Sequence, residues 1–312
     1  MTDLSVSGRL HGVLPVLQTP FTDRGDIDYE TLATEAAWLL ELGADGLVVG
    51  MVSEVLRLSE TERNALCSFL GDFAAGANTH FVMSVGAEST RMAIENGLRA
   101  QDAGATEVMA ISPIAVALSE GEVFGYYKAI IGALTIPLIV QDASGYVGTP
   151  LSVPMMARLR TEFGERILFK PEALPIGPRL SELRDATGGL AEVFEGTGGI
   201  SLIDSVRRGI AGTMPGSDVC WAILLMWQAM RDDDFAAAYR IQGPLLGLLT
   251  IQTSLDAFLA VEKHLLVRQG IFTSTYCRGP LGYILDPVTA QEVDRAFDAL
   301  AAACDRAIEP VQ

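Results

Sequence analysis

The chain has 312 residues, of which 49% are hydrophobic, and its formal net charge is −17. This length suits one large α/β barrel with an appendage better than a single small domain. The acidic surface repels phosphate backbones and argues against a nucleic-acid partner, and no apolar run approaches the roughly 20 residues of a membrane helix.

Short β-branched runs alternate with longer amphipathic stretches through the first two thirds of the chain. Eight runs are predicted strands: 13–17, 46–50, 81–85, 107–111, 138–141, 167–170, 191–195 and 209–213. Seven stretches between them are predicted helices: 29–42, 59–73, 89–103, 120–133, 153–163, 177–186 and 200–208. This alternation predicts a parallel sheet, and eight such units suit a (β/α)8 TIM barrel. A doubly wound sheet usually has a glycine-rich turn after its first strand, whereas residues 17–21 read Leu-Gln-Thr-Pro-Phe.

The chain becomes helical after the eighth predicted strand. Four further helices are predicted: 221–231, 234–249, 253–268 and 288–307. The first completes the barrel, so we expect a barrel over residues 1–231 and a three-helix appendage over residues 232–312. Local signals support the helix ends: Asp26 or Asp28 can cap the first helix, and Gly43, Gly104 and Gly188 suit the left-handed residue after a helix.

The cysteines and histidines show no metal-binding or disulfide pattern. Four cysteines and three histidines are scattered along the chain, which argues against a zinc site and a histidine-based triad. The first five residues lack the basic start and apolar core of a signal peptide. We therefore expect a reduced, cytoplasmic protein that uses neither metal nor cofactor.

Lys170 is the most informative single residue. It ends the apolar run 166–170, and lysine is rarely buried without a partner. A desolvated amine can lose its proton and attack a ketone to form a Schiff base, whereas the alternative is a lysine that extends from the strand end to solvent. In a barrel of this kind the active site lies at the carboxyl ends of the strands. The other candidates there are Thr19, Ser53, Glu54, Ser112, Gln141, Asp142, Glu172, Glu195 and Thr213.

Several segments form a recognisable set: 12–15 (Gly-Val-Leu-Pro), 19–21 (Thr-Pro-Phe), 43–47 (Gly-Ala-Asp-Gly-Leu), 58–63 (Leu-Ser-Glu-Thr-Glu-Arg) and 209–212 (Gly-Ile-Ala-Gly). Together they resemble the N-acetylneuraminate lyase and dihydrodipicolinate synthase superfamily of Schiff-base lyases. Lys170 falls where that family keeps its Schiff-base lysine, at the end of strand six. The resemblance covers nearly the whole chain and implies a (β/α)8 barrel, a 2-oxo acid substrate and a homotetramer.

The chain departs from the usual pattern of this family at the residues that relay protons. The turn Gly-Thr-Thr-Gly-Glu is replaced by Gly-Met-Val-Ser-Glu at 50–54, and the strand-five tyrosine is replaced by Gln141. Ser112 and Pro113 stand in place of a tyrosine pair after strand four. These losses argue against dihydrodipicolinate synthase activity.

The 2-keto-3-deoxy-L-arabonate dehydratase branch resembles the chain better. This branch carries Ser-Glu, Val-Gln-Asp-Ala and Phe-Lys-x-Glu, which match residues 53–54, 140–143 and 169–172. The resemblance implies Lys170 as the nucleophile, Glu172 as general base and Gln141 as a catalytic partner. It also implies a substrate pocket formed by Val52, Ser53, Ser112 and Gly212, with the N–H groups of Val52 and Ser53 on the substrate carboxylate.

The carboxylates at the strand ends have different expected roles. Lys170 and Glu172 are two residues apart, so an extended strand end points both side chains to one side; the alternative for Glu172 is a solvated loop carboxylate. We expect Glu54 to anchor its turn, and Asp142 and Glu195 to join structural hydrogen-bond networks.

Dehydration of a 2-keto-3-deoxy sugar acid is therefore the predicted reaction. An aldol or retro-aldol lyase of the pyruvate aldolase type is one alternative, because both reactions share the imine. The apolar residues 114–118, with Met51 and Val52, also leave open a less polar 2-oxo acid. A third alternative is a protein that binds 2-oxo acids without turnover.

Overall fold

The structure is a computed structural model that describes residues 8–306. The first five residues, on which the cytoplasmic expectation rests, lie outside this range, as does residue 307 of the last predicted helix. The described strands are β1 (Gly12–Val13), β2 (Gly46–Val49), β3 (His80–Ser84), β4 (Glu107–Ala110), β5 (Leu138–Asp142), β6 (Ile167–Pro171), β7 (Phe194–Glu195) and β8 (Gly212–Thr213).

The described helices alternate with these strands and then follow one another. They are α1 (Tyr29–Glu41), α2 (Glu60–Ala77), α3 (Thr90–Asp102), α4 (Glu120–Ala133), α5 (Val153–Phe163), α6 (Ile176–Ala186), α7 (Leu202–Arg207), α8 (Cys220–Arg231), α9 (Phe235–Leu249), α10 (Leu255–Arg268) and α11 (Pro287–Ala303). None of the helices within residues 8–306 is long and apolar enough to cross a membrane.

Two compact units make up the described chain. The first comprises residues 60–196 and 204–213 with residues 8–11, and the second comprises residues 12–59, 197–203 and 214–306. The predicted boundary between residues 231 and 232 falls between α8 and α9 and stays a prediction.

The first unit contains a run of parallel strands. β3, β4, β5 and β6 are neighbours in that order, a bridge between Phe169 and Val193 joins β6 to β7, and β7 pairs with β8. Every residue of β4, β5 and β6 is buried, as expected for a parallel sheet covered on both faces. In this register Gln141 lies opposite Lys170.

The second unit contains β1, β2, α1 and α8 to α11. Val16 forms parallel bridges with both Val48 and Gly216. Single bridges rather than a continuous ladder hold this stretch, which is why β1 is shorter than the predicted 13–17. Pro15, which has no N–H to donate, lies within the stretch.

The helix-end predictions agree with the structure. Asp28 rather than Asp26 caps α1, because its carboxylate accepts the N–H of Thr31. Gly43, Gly104 and Gly188 have φ values of 98°, 93° and 61°, which is the left-handed conformation that favours glycine after a helix.

Candidate active site

Lys170 lies near the carboxyl end of β6, where the apolar run 167–169 buries it against the neighbouring strands. Only 5% of the residue is exposed. Its Nζ donates to Glu172 Oε1 at 2.5 Å in a buried ion pair. A strand-end lysine is therefore held out of solvent beside a carboxylate, instead of extending to the surface.

Glu172 follows β6 and continues its extended path. Its N–H donates to the carbonyl of Asp142 at 2.9 Å, which prolongs the pairing with β5 and keeps the Glu172 side chain on the same side as Lys170. Its second oxygen, Oε2, accepts from Gln141 Nε2 at 3.1 Å. Lys170 and Gln141 thus each bond one oxygen of this carboxylate, although the catalytic roles of the three residues stay predictions.

The buried surroundings of Glu172 shift its pKa. Burial raises the pKa of Glu172, and this effect exceeds the opposing influence of the Lys170 charge and of the hydrogen bonds from Lys170 and Gln141. Groups whose pKa is shifted by burial are common at functional sites. The raised pKa makes Glu172 a candidate acid–base group beside Lys170.

Gly196 leaves space at the amine and was missed by the sequence analysis. It directly follows β7, and a Cβ atom at this position would lie 2.8 Å from Lys170 Nζ and would also meet Glu172. Any side chain here would fill the volume next to the nucleophile. Its position directly after a predicted strand could have identified it, because active sites of this architecture lie at the carboxyl ends of the strands.

Two other carboxylates at strand ends are engaged in structural contacts. Asp142 accepts the N–H groups of Ser144 at 3.1 Å and Leu151 at 2.9 Å, so it anchors the loop after β5. Glu195 accepts from the hydroxyl of Thr213 at 2.9 Å. Both arrangements agree with the expected hydrogen-bond networks.

Ser112 and Gly212 are not brought into hydrogen-bond contact with Lys170 within residues 8–306. Ser112 lies beside the hydroxyl of Tyr127, whose pKa burial raises well above its ordinary value. Gly212 is buried in β8 opposite Phe194. Their predicted contacts with substrate stay predictions.

In the second unit, a 3-10 turn (Met51–Ser53) follows β2. The Ser53 hydroxyl donates to the carbonyl of Leu17 at 2.5 Å and accepts the N–H of Gly50 at 3.0 Å. The N–H of Ser53 donates to the Gly50 carbonyl at 3.1 Å. Because the turn uses both donors of Ser53, the geometry does not support their use for a substrate carboxylate. Val52, in the same turn, stays a predicted ligand.

Glu54 belongs to a buried cluster of the second unit. It adopts a left-handed conformation with φ of 58°, and its carboxylate accepts from Lys263 Nζ at 2.5 Å and from the N–H of Arg278 at 2.8 Å. Lys263 is fully buried and also donates to the carbonyls of Thr19 at 2.8 Å and Tyr276 at 2.9 Å. Glu54 thus anchors a loop near the C-terminus as well as its own turn.

Lys263 was not singled out from the sequence, because Glu262, Lys263 and His264 read as ordinary charged positions of a helix. The chain has only three lysines: Lys128, which is exposed, Lys170 and Lys263. All three N–H donors of the Lys263 ammonium are matched by acceptors, whereas the Lys170 ammonium donates to Glu172. This contrast favours Lys170 over Lys263 as the candidate nucleophile.

Comparison with known proteins assigns the chain to a family. Residues 9–300 match the model of the Dihydrodipicolinate synthetase family. The chain belongs to this family. It is 30% identical over 285 residues to L-2-keto-3-deoxyarabonate dehydratase from Azospirillum brasilense, covering 89% of this chain and 90% of that protein. It is 26% identical over 288 residues to 4-hydroxy-tetrahydrodipicolinate synthase from Rhizobium meliloti (strain 1021), covering 92% and 97%.

Two solved structures share the fold. YagE, a prophage protein from E. coli K12 solved in complex with pyruvate, superposes with a TM-score of 0.86 at 23% identity over 94% of this chain and 99% of that chain. CdNal from Clostridium difficile, solved in complex with mannosamine, gives a TM-score of 0.82 at 22% identity over 95% of this chain and 100% of that chain. The predicted (β/α)8 barrel class with C-terminal helices is confirmed, and so is the predicted enzyme class, a lyase.

Proposed function

We propose that this member of the Dihydrodipicolinate synthetase family dehydrates a 2-keto-3-deoxy sugar acid through a Schiff base on Lys170. The observation that carries the proposal is the buried contact of Lys170 with Glu172, whose other oxygen is held by Gln141. The 30% identity to a protein named L-2-keto-3-deoxyarabonate dehydratase supports the same substrate class. In this proposal the substrate is a small 2-oxo acid, and a homotetramer is the expected assembly.

The first step forms the imine. Glu172 takes a proton from the Lys170 ammonium group, and the neutral amine attacks the C2 carbonyl of the substrate. The carbonyl oxygen takes the proton back from Glu172 and leaves as water, so a protonated imine joins Lys170 to C2 and Glu172 is again a carboxylate. Gly196 leaves the room that the substrate needs beside Nζ.

The second step removes the elements of water from C3 and C4. The protonated imine withdraws electrons from C3, so Glu172 can accept a C3 proton as general base. The resulting enamine returns its electron pair, the C4–O bond breaks, and the departing hydroxide takes the proton from Glu172 as water. Hydrolysis of the conjugated imine then consumes one water, releases the product and restores the Lys170 amine.

The position of Glu172 favours dehydration over carbon–carbon cleavage. Its oxygen contacts Nζ itself, and in the imine C3 is the carbon one bond beyond the carbon attached to that nitrogen. Retro-aldol cleavage instead requires a base at the C4 hydroxyl, further along the substrate. The retro-aldol reaction, a less polar 2-oxo acid and binding without turnover are therefore outcomes that the experiment must distinguish.

Borohydride reduction followed by mass spectrometry tests the covalent step. The protein would be incubated separately with 2-keto-3-deoxy-L-arabonate, pyruvate and phenylpyruvate, and the adduct would be mapped by peptide analysis. Only three lysines can carry it. We expect an adduct on Lys170 that disappears in Lys170→Met and persists in Lys128→Met, the exposed-lysine control. An adduct unchanged in Lys170→Met, or none with any ligand, would contradict the proposal.

Product analysis separates the reactions. Dehydration yields a product lighter than the sugar acid by one water, whereas retro-aldol cleavage of the same five-carbon acid releases pyruvate and a two-carbon aldehyde. We expect the dehydrated product and no pyruvate from 2-keto-3-deoxy-L-arabonate. Pyruvate release would favour the aldolase, and more efficient borohydride trapping of phenylpyruvate than of the sugar acid would favour the apolar substrate. An adduct without any product from the sugar acid would favour binding without turnover.

A further inference from the structure

A cavity of about 300 Å³ lies between helices α2 and α3, against strand β3, in the first unit. We call it the α2–α3 cavity. None of the residues that line it belongs to the candidate active site, and its volume is at the lower end of the range for small-molecule sites. Its walls include Arg63, Asn64 and Cys67 from α2, and Asn96 and Arg99 from α3.

Arg63 carries a partly buried charge that lacks a carboxylate partner among residues 8–306. Its Nη2 donates to the carbonyl of Ser84, and burial lowers its pKa. The groups that act on its charge are the thiol of Cys67 and the phenol of Tyr126. Burial raises the pKa of Cys67 to about 11 and that of Tyr126 to about 12, so both are neutral at physiological pH.

An unneutralised guanidinium is uncommon in this setting, because buried charges are normally paired. A guanidinium has five N–H donors, and the bond to Ser84 uses Nη2 alone. The remaining N–H groups can donate two parallel hydrogen bonds to an oxyanion such as a carboxylate or a phosphate. The charge of Arg63 is therefore matched to an anionic ligand in the cavity that it lines.

Further donors line the cavity on both helices. Arg99 pairs through Nη1 with Glu60 at 2.5 Å, and Asn96 Nδ2 donates to the Val85 carbonyl at 3.4 Å. Asn64 lines the same space from α2. Asp102, the acidic residue of the lining, is exposed, as is Arg99, so Arg63 is the less exposed charge of the lining.

We propose that the α2–α3 cavity is an oxyanion-binding site, separate from the candidate active site, in which Arg63 is the counter-ion. Its ligand is a small molecule with a carboxylate or phosphate group. A net charge of −17 repels anions at long range. Recognition therefore depends on short-range contacts inside the cavity rather than on the field of the whole protein. This proposal stands independently of the proposed dehydratase activity.

Cys67 provides a reporter because it lines the cavity with 5% exposure. Alkylation of Cys67 by N-ethylmaleimide would be followed in a Cys277→Ser/Cys304→Ser background, with Cys220 fully buried. Sodium phosphate and sodium succinate would each be titrated against sodium chloride at equal ionic strength, and the melting temperature would be recorded in parallel. At ten times the dissociation constant, a bound anion should slow alkylation about tenfold if only the free protein reacts.

Arg63→Gln should abolish the protection and the rise in melting temperature, whereas Arg91→Gln, an exposed arginine paired with Glu95, should preserve both. Ser68→Phe, which fills the cavity from α2 and keeps Arg63, should also abolish anion stabilisation. Circular dichroism would verify that each variant is folded.

Protection by succinate alone would assign a carboxylate ligand, and protection by phosphate alone would assign a phosphate ligand. Equal anion effects in wild type and Arg63→Gln would overturn the proposal. So would an absence of protection and stabilisation by both anions, or stabilisation that persists in Ser68→Phe.

Discussion

Gln141 and Lys170 are direct partners in the parallel register of β5 and β6, and both side chains contact the same carboxylate, that of Glu172. The amide donor of Gln141 fixes one carboxylate oxygen while the amine occupies the other. In the proposed mechanism this arrangement places a base at the nucleophile without a tyrosine on strand five. Gln141 therefore orients Glu172, and its removal should alter the pKa of the base.

Gln141→Leu should reduce kcat by about tenfold or more, which corresponds to about 1.4 kcal/mol of lost transition-state stabilisation. The hydrogen bond from Gln141 lowers the pKa of Glu172, so its loss should raise that pKa and shift the acid limb of the kcat profile to higher pH. A pH–rate profile measures both effects. Gln228→Leu on α8 serves as the control. An unshifted acid limb would show that Gln141 does not act through Glu172.

Gly196→Ala should abolish turnover and borohydride trapping while preserving the fold. A Cβ atom at this position lies 2.8 Å from Lys170 Nζ, closer than real Cβ contacts, so the methyl group would displace either the amine or the substrate. Circular dichroism and the trapping assay check the two parts of this prediction. Gly132→Ala on α4 meets nothing within 4 Å and should behave as wild type. Full activity in Gly196→Ala would show that the space at Gly196 is not needed for substrate binding.

Lys263→Met should destabilise the second unit strongly, because it leaves the Glu54 carboxylate buried without its cation. Both side chains are fully buried in the ion pair, and breaking such a pair from one side costs about 3–5 kcal/mol. Urea unfolding measures the loss. Lys263→Met/Glu54→Leu should recover most of it, and a double variant no more stable than Lys263→Met would contradict this account.

Stability should fall as pH rises from about 4.5 towards 8, partly because of Glu35. Burial raises the pKa of Glu35 from 4.5 to about 8. Between these values the folded state binds more protons than the unfolded state, so unfolding becomes easier as pH increases. The contribution is complete below the unfolded value and is lost as pH passes through the folded one.

Glu35→Gln isolates this effect, because glutamine is neutral throughout. Free energies of unfolding at pH 5 and pH 8 should differ less in Glu35→Gln than in wild type. Glu30→Gln, at an exposed position of the same helix, should leave the difference unchanged. An identical pH dependence in wild type and Glu35→Gln would show that Glu35 is ionised in the folded state.

The sequence by itself determined the alternation of strands and helices, the position of Lys170 at a strand end and the facing of Glu172 towards it. These features depend on periodicities of two and 3.6 residues, which are local properties of the chain. The left-handed glycines after helices are local in the same sense. The family motifs are also short contiguous segments, which is why they could be recognised from the sequence alone.

Only the tertiary structure decided which groups share a site. The contact of Gln141 with Glu172 depends on the register of two strands, and the open space at Gly196 depends on how closely the next strand approaches the amine. Burial of Lys263 and engagement of Ser53 by its turn likewise arise from packing between segments distant in sequence. The charge of a residue does not indicate whether it is buried. A helix can carry the same kind of charged residue on its solvent-exposed face and at a position that contacts a buried partner.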